Sequence, residues 1–423
     1  MKLKTDIISQ HKLCFISLLS VSFLFASFEI TAILSTLVVL FILAQKKIKF
    51  SKNFLSLISA LILLSTIAII TGLTKNKLGY DFLKDFFYLN KPILLILAGY
   101  AIVRKINNQE FVYRTVVSVA IFFAATHLFL VAQYVIAEPD FTVAGIRQYA
   151  GRDSVLELFA LSFLVANFRL KKIKFIHQNL IILVLALSFL FYLSRTMTLV
   201  FMFMLIAFLG YLKLTTRGLR YILFATLIIS ALYAYLFSID IDRDSDRPID
   251  NFLYKIKLAP AEIFIKPEST DVKDHSNLWD HWRAYESSKA IDALNDGKTS
   301  DWFFGLGMGS LIDLDFYAPL SDDDKGMRFI SLLHNGYVYV LYKTGFIGLL
   351  SYILFFVFIL VPFSSTKEML PSYNILVGIV TFYIISSFVI SGLYNLADPI
   401  SLLVGAFFKQ SEIEFYENSY YRD

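Results

Sequence analysis

The chain has 423 residues, a formal net charge of +5, 57% hydrophobic residues and only 17% charged ones. That balance excludes a water-soluble globule, and the excess charge lies in short loops, where it reports topology rather than nucleic-acid binding. The single cysteine, Cys14, falls in an apolar run and excludes an internal disulfide or a cysteine-based metal site.

Apolar runs recur at about 17 to 25 residues, the length a helix needs to cross a bilayer. Lys2, Lys4 and Lys12 precede the first run, 13–26, and no cleavable leader is expected because no small-residue cleavage site follows. A second run, 30–44, forms a tight hairpin with the first. Lys46, Lys47, Lys49 and Lys52 then mark a cytoplasmic loop. The third span is 54–73. In 75–91, Leu78, Phe82, Asp85, Phe86 and Leu89 recur at helical spacing, which predicts an amphipathic helix on the outer surface or the start of the next span. The fourth span, 92–103, ends at Arg104-Lys105, and the fifth is 111–136. The outer loop after it carries Glu138, Asp140, Arg147 and Arg152.

The sixth span, 155–168, stops at Arg169, Lys171, Lys172 and Lys174. The seventh reaches 193 and the eighth begins near 197, leaving only Ser194-Arg195-Thr196 at the outer turn. Lys213, Arg217 and Arg220 mark another inner loop before the ninth span, 221–237. Residues 238–329 form the one long hydrophilic segment, too long for a connector. Spans 346–363, 375–393 and 399–408 complete the set. The reading is an all-α polytopic membrane protein of about twelve transmembrane helices, both termini inside. Residues 1–237 hold spans one to nine, and 238–345 form a large helical extracytoplasmic loop with catalytic elements. Residues 346–408 hold spans ten to twelve, and 409–423 form a cytoplasmic tail expected to be partly disordered.

Several polar residues invite chemistry. His334 lies just past the long hydrophilic segment, and histidine ordinarily exchanges a proton near neutral pH. An interfacial histidine that only bonds headgroups is the plainer alternative. Arg195 can snorkel to the interface or present its planar fork to phosphate. In 277–280, Asn277 and Asp280 suit a helix start, and the aromatic-rich WDHWRAYESSKAIDAL follows with Arg283. Gly305-Leu306-Gly307-Met308-Gly309 lacks the context of a dinucleotide or Walker loop; a tight turn needing positive φ angles is the simpler reading. Asp240, Asp242, Asp244 and Asp246 miss the EF-hand template, since Ser245 stands where glycine is required and Asn251 where glutamate is. No metal and no cofactor are expected. His275 and His281 lack metal-like spacing to His334, and His127 reads as a packing residue within the fifth span. No Ser/His/Asp order favours hydrolysis.

The stretch LLHNGYVYVLYKTGFIG at 332–348 has a His-Asn pair, an aromatic-rich turn and a G-x-x-G-L that opens a membrane helix. It resembles the bacterial O-antigen polymerase/ligase family, most strongly over 279–362. The resemblance implies a GT-C-like glycosyltransferase in the inner membrane with its active site facing the periplasm. The donor would be an undecaprenyl-diphosphate-linked glycan, and transfer inverting and independent of metal. His334 would accept the acceptor's hydroxyl proton, while Arg195 in its Ser-Arg turn and Arg283 neutralise the departing pyrophosphate. Arg147, Arg152, Trp282, Asn335 and Tyr337 are the expected substrate contacts. A chain-length regulator and a flippase are candidate partners besides the bilayer. Polymerisation is the preferred activity, with ligation of the glycan to lipid A-core as the alternative. The family often has an acidic residue near Lys343, so this chain departs from it there. A transporter or flippase is the rival class, but no clear internal repeat is visible and the suggestive residues gather at one interface.

Overall fold

The computed structural model describes residues 2–24, 28–44, 49–138, 143–151, 155–170, 173–192, 194–212, 216–241, 250, 253–254, 256–258, 278, 281–319, 326–364, 370–395 and 399–420. In chain order its first ten helices are α1 (Lys2–Leu24), α2 (Phe28–Ala44), α3 (Lys52–Thr74), α4 (Tyr80–Ile106), α5 (Gln109–Ala137), α6 (Val143–Ala150), α7 (Val155–Leu170), α8 (Gln178–Phe191), α9 (Arg195–Phe208) and α10 (Thr216–Ser238). The hydrophilic segment supplies α11 (Trp282–Asn295), α12 (Thr299–Phe304) and two strands, β1 (Ile312–Ala318) and β2 (Met327–Ile330). Helices α13 (Gly336–Ser364), α14 (Pro371–Ser386) and α15 (Ile400–Tyr420) follow. Among the described residues α3, α4, α5, α10 and α13 are long and apolar enough to cross a membrane, and shorter apolar helices lie within α2, α7, α8, α9 and α14. In hydrocarbon every backbone N–H and C=O must be satisfied within the chain, which is why long apolar runs fold as helices. Polar residues at the edges of these runs start them: Ser51 accepts from Phe54 N (3.1 Å) and Asn108 from Phe111 N (3.0 Å).

Helix packing fixes which ends come together. Helices α4 and α15 pack through facing glycines: a Cβ on Gly99 would lie 2.0 Å from Leu402 O, and one on Gly405 1.9 Å from Ile96 O. Small residues permit such close approach where apolar burial alone cannot drive association. Asn374, near the start of α14, donates to Phe208 O at the end of α9 (3.4 Å), and Gly378 faces Met204 and Phe208. The two helices are therefore antiparallel, and Arg195 lies at the same end of the bundle as Ser386. At the opposite end Glu412 accepts from Tyr100 OH (2.8 Å) and Ser51 Oγ, and Glu414 accepts from Ser372 Oγ (2.8 Å). These bonds gather 51, 100–106 and 409–414 at the end that the Lys/Arg asymmetry predicts to be cytoplasmic.

The structure alters four expectations. The fourth span does not start at 92: α4 begins at Tyr80, the second of the two readings of 75–91, and runs on through Pro92, with Asp85 and Lys91 buried. Residues from 409 continue α15 to Tyr420, held by the Glu412 and Glu414 bonds rather than loose. The long segment is not purely helical, because β1 and β2 form an antiparallel hairpin pairing Ile312 with Ile330 and Asp313 with Phe329. Finally, α13 begins ten residues before the expected tenth span, at Gly336, and bends at Gly345 (φ 65°, ψ −169°).

Candidate functional site

The bend in α13 organises the site. The break at Gly345 leaves carbonyls of the preceding turn in need of donors. Leu306 N donates to Tyr342 O (2.8 Å) and Gly307 N to Lys343 O (3.0 Å). The glycine segment continues into α3 and α4: Met308 N donates to Ala68 O (2.9 Å) and Gly309 N to Asp85 Oδ2 (2.8 Å). Gly305, Gly307 and Gly309 adopt φ of 75°, 81° and 80°, and a Cβ on Gly307 would sit 2.2 Å from Gly72 N. The segment is a tight turn, as its composition suggests, and its amides are spent inside the protein. Gly305 N completes the set by donating to Asp301 O (2.8 Å).

Beneath this turn Lys343 Nζ donates to Asp85 Oδ2 (2.5 Å) and Ser310 O (2.6 Å), and both ionic side chains are fully buried. The departure from the family pattern at Lys343 thus has a partner on α4. Asp85 falls on the apolar stripe of its helix, and a buried carboxylate needs a counter-charge, but nothing local names Lys343 as that partner.

His334 stands between β2 and α13. Its backbone N–H donates to Glu286 Oε2 (3.2 Å), and its Nδ1 lies 2.9 Å from Oε2 and 3.1 Å from Oε1 of the same carboxylate. Glu286 has 3% of its side chain exposed, whereas His334 has 48%. Arg283 lies three residues before Glu286, on the same face of α11, and its Nε donates to Val389 O (3.0 Å). The turn that receives Arg283 also braces His334: Ser391 N donates to His334 O (2.6 Å), Ser391 Oγ to Leu333 O (2.6 Å), and Gly336 N to Ser387 O (2.6 Å). His334 and Arg283 are thereby fastened to one stretch, 387–391, at the end of α14. Arg195 begins α9 at that same end, exposed, with Ser194 capping the helix through Met197 N (3.4 Å). It lies within electrostatic reach of Tyr233 on α10.

Helix α11 is held from behind. Trp282, Tyr285 and Phe316 pack ring against ring, and Tyr285 OH donates to Leu314 O (2.6 Å). Burial pushes the Tyr285 phenol up from its ordinary titration range. On the hairpin's outer face two hydrogen bonds from Arg328 (2.7 Å each) hold the Asp313 carboxyl down at about 2.

The remaining expected contacts separate by position. Trp282 is buried and its ring face serves the packing of the loop domain rather than an open surface. Asn335 is buried too, and its Oδ1 accepts from Tyr337 N (3.1 Å) and Val338 N (3.2 Å), which makes it the cap of α13. Tyr337 is half-buried against Phe388 and Tyr352 and donates to Ile384 O (3.0 Å). Arg147 is exposed on α6, while Arg152, His275 and most of the aspartate run fall outside the described residues. His127 is buried, with Nδ1 2.8 Å from Ser188 Oγ and its ring stacked on Tyr192, beside the carboxylate of Glu157. Among the described residues no group of histidine, cysteine and acidic side chains is arranged to hold a metal. Glu286 escaped the sequence reading, because its partner lies 48 residues away and nothing in the local pattern marks it.

The fold is that of a multi-pass helical membrane protein, with an ionisable site where α11 meets the end of α14. Residues 180–353 match the O-antigen ligase family model, so this part of the chain is similar to that family. The matched stretch contains Arg195, Arg283, Glu286 and His334. No curated protein matches the chain closely enough to add to this.

Proposed function

We propose that this protein is a glycosyltransferase at the outer face of the bacterial inner membrane. It polymerises undecaprenyl-diphosphate-linked repeat units of O-antigen or another surface polysaccharide. The observation that carries the reading is the fastening of His334 and Arg283 to one turn, at the end of the bundle where Arg195 also begins its helix. A sugar hydroxyl is a poor nucleophile until its proton is taken, and a pyrophosphate leaves more readily when its developing charge is met by fixed cations. His334 takes the proton from the acceptor hydroxyl as that oxygen bonds to the donor's anomeric carbon. The bond from that carbon to the diphosphate breaks with inversion, and Arg195 and Arg283 meet the charge on the departing carrier lipid. Arginine suits this task through paired, charge-assisted hydrogen bonds to phosphate oxygens. No metal enters the step.

The arrangement proposed with this activity is GT-C-like and has about twelve spans, with both termini inside and 238–329 outside. A second reading, ligation of the finished glycan to lipid A-core, is favoured by the description of the matched family as a ligase. The surface glycans of a deletion strain separate the two. Loss of all chains beyond a single repeat is the expected result. Accumulation of long lipid-linked chains would replace polymerase by ligase, and an unchanged glycan profile would overturn both.

A further inference from the structure

We propose that Glu286 is the positioning residue that makes Nε2 of His334 the proton-accepting atom; the inference rests on the reading of His334 as the base. A neutral imidazole carries one N–H and one lone pair, and only the nitrogen with the lone pair can take a proton. Which nitrogen that is depends on what the other one meets. Here the neighbour is a buried carboxylate that meets Nδ1 at 2.9 and 3.1 Å. The same Oε2 accepts the backbone N–H of His334 at 3.2 Å, which marks that oxygen as an acceptor and Nδ1 as the N–H. The lone pair then sits on Nε2. Glu286 is buried and His334 half open, so the ring is held on its inner edge and offers its other edge outward.

Two features make this a built arrangement. Glu286 grips both the backbone and the ring of His334, which fixes the ring plane as well as the tautomer. Helix α11, which carries Glu286, is itself anchored by Tyr285 OH on Leu314 O and by the Lys289–Asp315 ion pair one turn further on. The carboxylate therefore has little freedom to follow a displaced histidine. A carboxylate that orients a catalytic imidazole without taking its proton is a recurring device in acyl transfer. Here the same physics serves the activation of a hydroxyl.

The consequence is specific to the chemistry of position 286. Glu286→Gln keeps the volume, and its one oxygen can still accept the His334 backbone N–H. Its amide nitrogen then donates to Nδ1, which moves the ring proton to Nε2 and leaves no lone pair facing the acceptor. A role confined to packing would tolerate this exchange. The test uses the full chain in lipid nanodiscs with ¹⁵N-labelled histidine, the His334 signals being found by difference from His334→Gln. Long-range nitrogen–proton couplings report the tautomer of the neutral ring, and glycan extension from a lipid-linked donor reports kcat and KM.

The expected results are an Nδ1–H ring in the native protein and an Nε2–H ring in Glu286→Gln. kcat should fall by roughly 10²- to 10⁴-fold, as when a triad carboxylate is replaced by its amide, with KM unchanged. An Nε2–H ring in the native protein overturns the proposal, whatever the activity. So does a Glu286→Gln enzyme with native kcat. If both tautomers are as expected but His334→Gln transfers glycan normally, the base assignment falls and takes the catalytic role of Glu286 with it. The contact would then remain only as structure.

Discussion

At one end of the helical stretch 336–344, His334 leans on Glu286 with nearly half its side chain open; at the other, Lys343 and Asp85 have no exposed surface. Both are contacts between a basic and an acidic group, and they lie nine residues apart in the chain. The sealed pair binds three elements at once, α13, α4 and the glycine turn, through Asp85 Oδ2, Ser310 O and Gly309 N. It offers no path by which a substrate proton could arrive. The open pair joins α11 to a residue two positions before α13 and leaves an imidazole edge outward. The contrast separates holding from acting: burial that makes an ion pair a good brace removes it from chemistry, and the exposure that allows proton transfer weakens it as a brace.

The two pairs should therefore fail in opposite ways. His334→Gln is expected to lower glycan transfer by roughly 10²- to 10⁴-fold, because glutamine bonds like a neutral imidazole but takes up no proton near neutral pH. Its thermal unfolding in detergent should match the native protein. Near-normal turnover by this variant would leave His334 as an orienting group at most. Lys343→Met should do the reverse. It leaves the Asp85 carboxylate buried without its cation, a loss of about 3–5 kcal/mol in stability. Adding Asp85→Asn removes the stranded charge and should recover most of that loss. If the single and double variants were equally unstable, the pair would not be coupled and the brace would have to be sought in the glycine turn instead.

Much of the helical layout was legible because a membrane helix is encoded locally, in unbroken apolar length and in flanking charges. The boundary before 346 was legible for the same reason, and it coincides with the bend at Gly345. The turn at 305–309 was legible from its three glycines, since no other residue tolerates that run of positive φ. Legibility ended where two distant segments had to meet. Whether 75–91 lay on the surface or entered α4 depended on Lys343, 258 residues from Asp85, and no local pattern reports such a pairing. Glu286 was hidden for the same reason. His334 and Arg283 could be named from residue type and resemblance, but the turn 387–391 that fastens them together is unremarkable in sequence.

Asn335 lies next to the open pair, where the resemblance implied a substrate contact, and in the structure its side chain caps α13. Its Oδ1 accepts from two backbone amides of the first turn of α13, so the side chain supplies partners that the helix start lacks. Because α13 is braced at its far end by Lys343, loosening its start should cost only the cap. Asn335→Ala is expected to lower stability by about 0.5–2 kcal/mol. Aspartate offers the same acceptor in the same place and adds a charge favourable at a helix N-terminus, so Asn335→Asp should restore stability. If capping is the whole role, it should also restore KM for the lipid-linked donor. An Asn335→Asp protein of native stability but with a greatly raised KM would show that the amide touches the glycan as well. His334, one residue before the cap, would then share its substrate contact rather than stand alone at the open end of the helix.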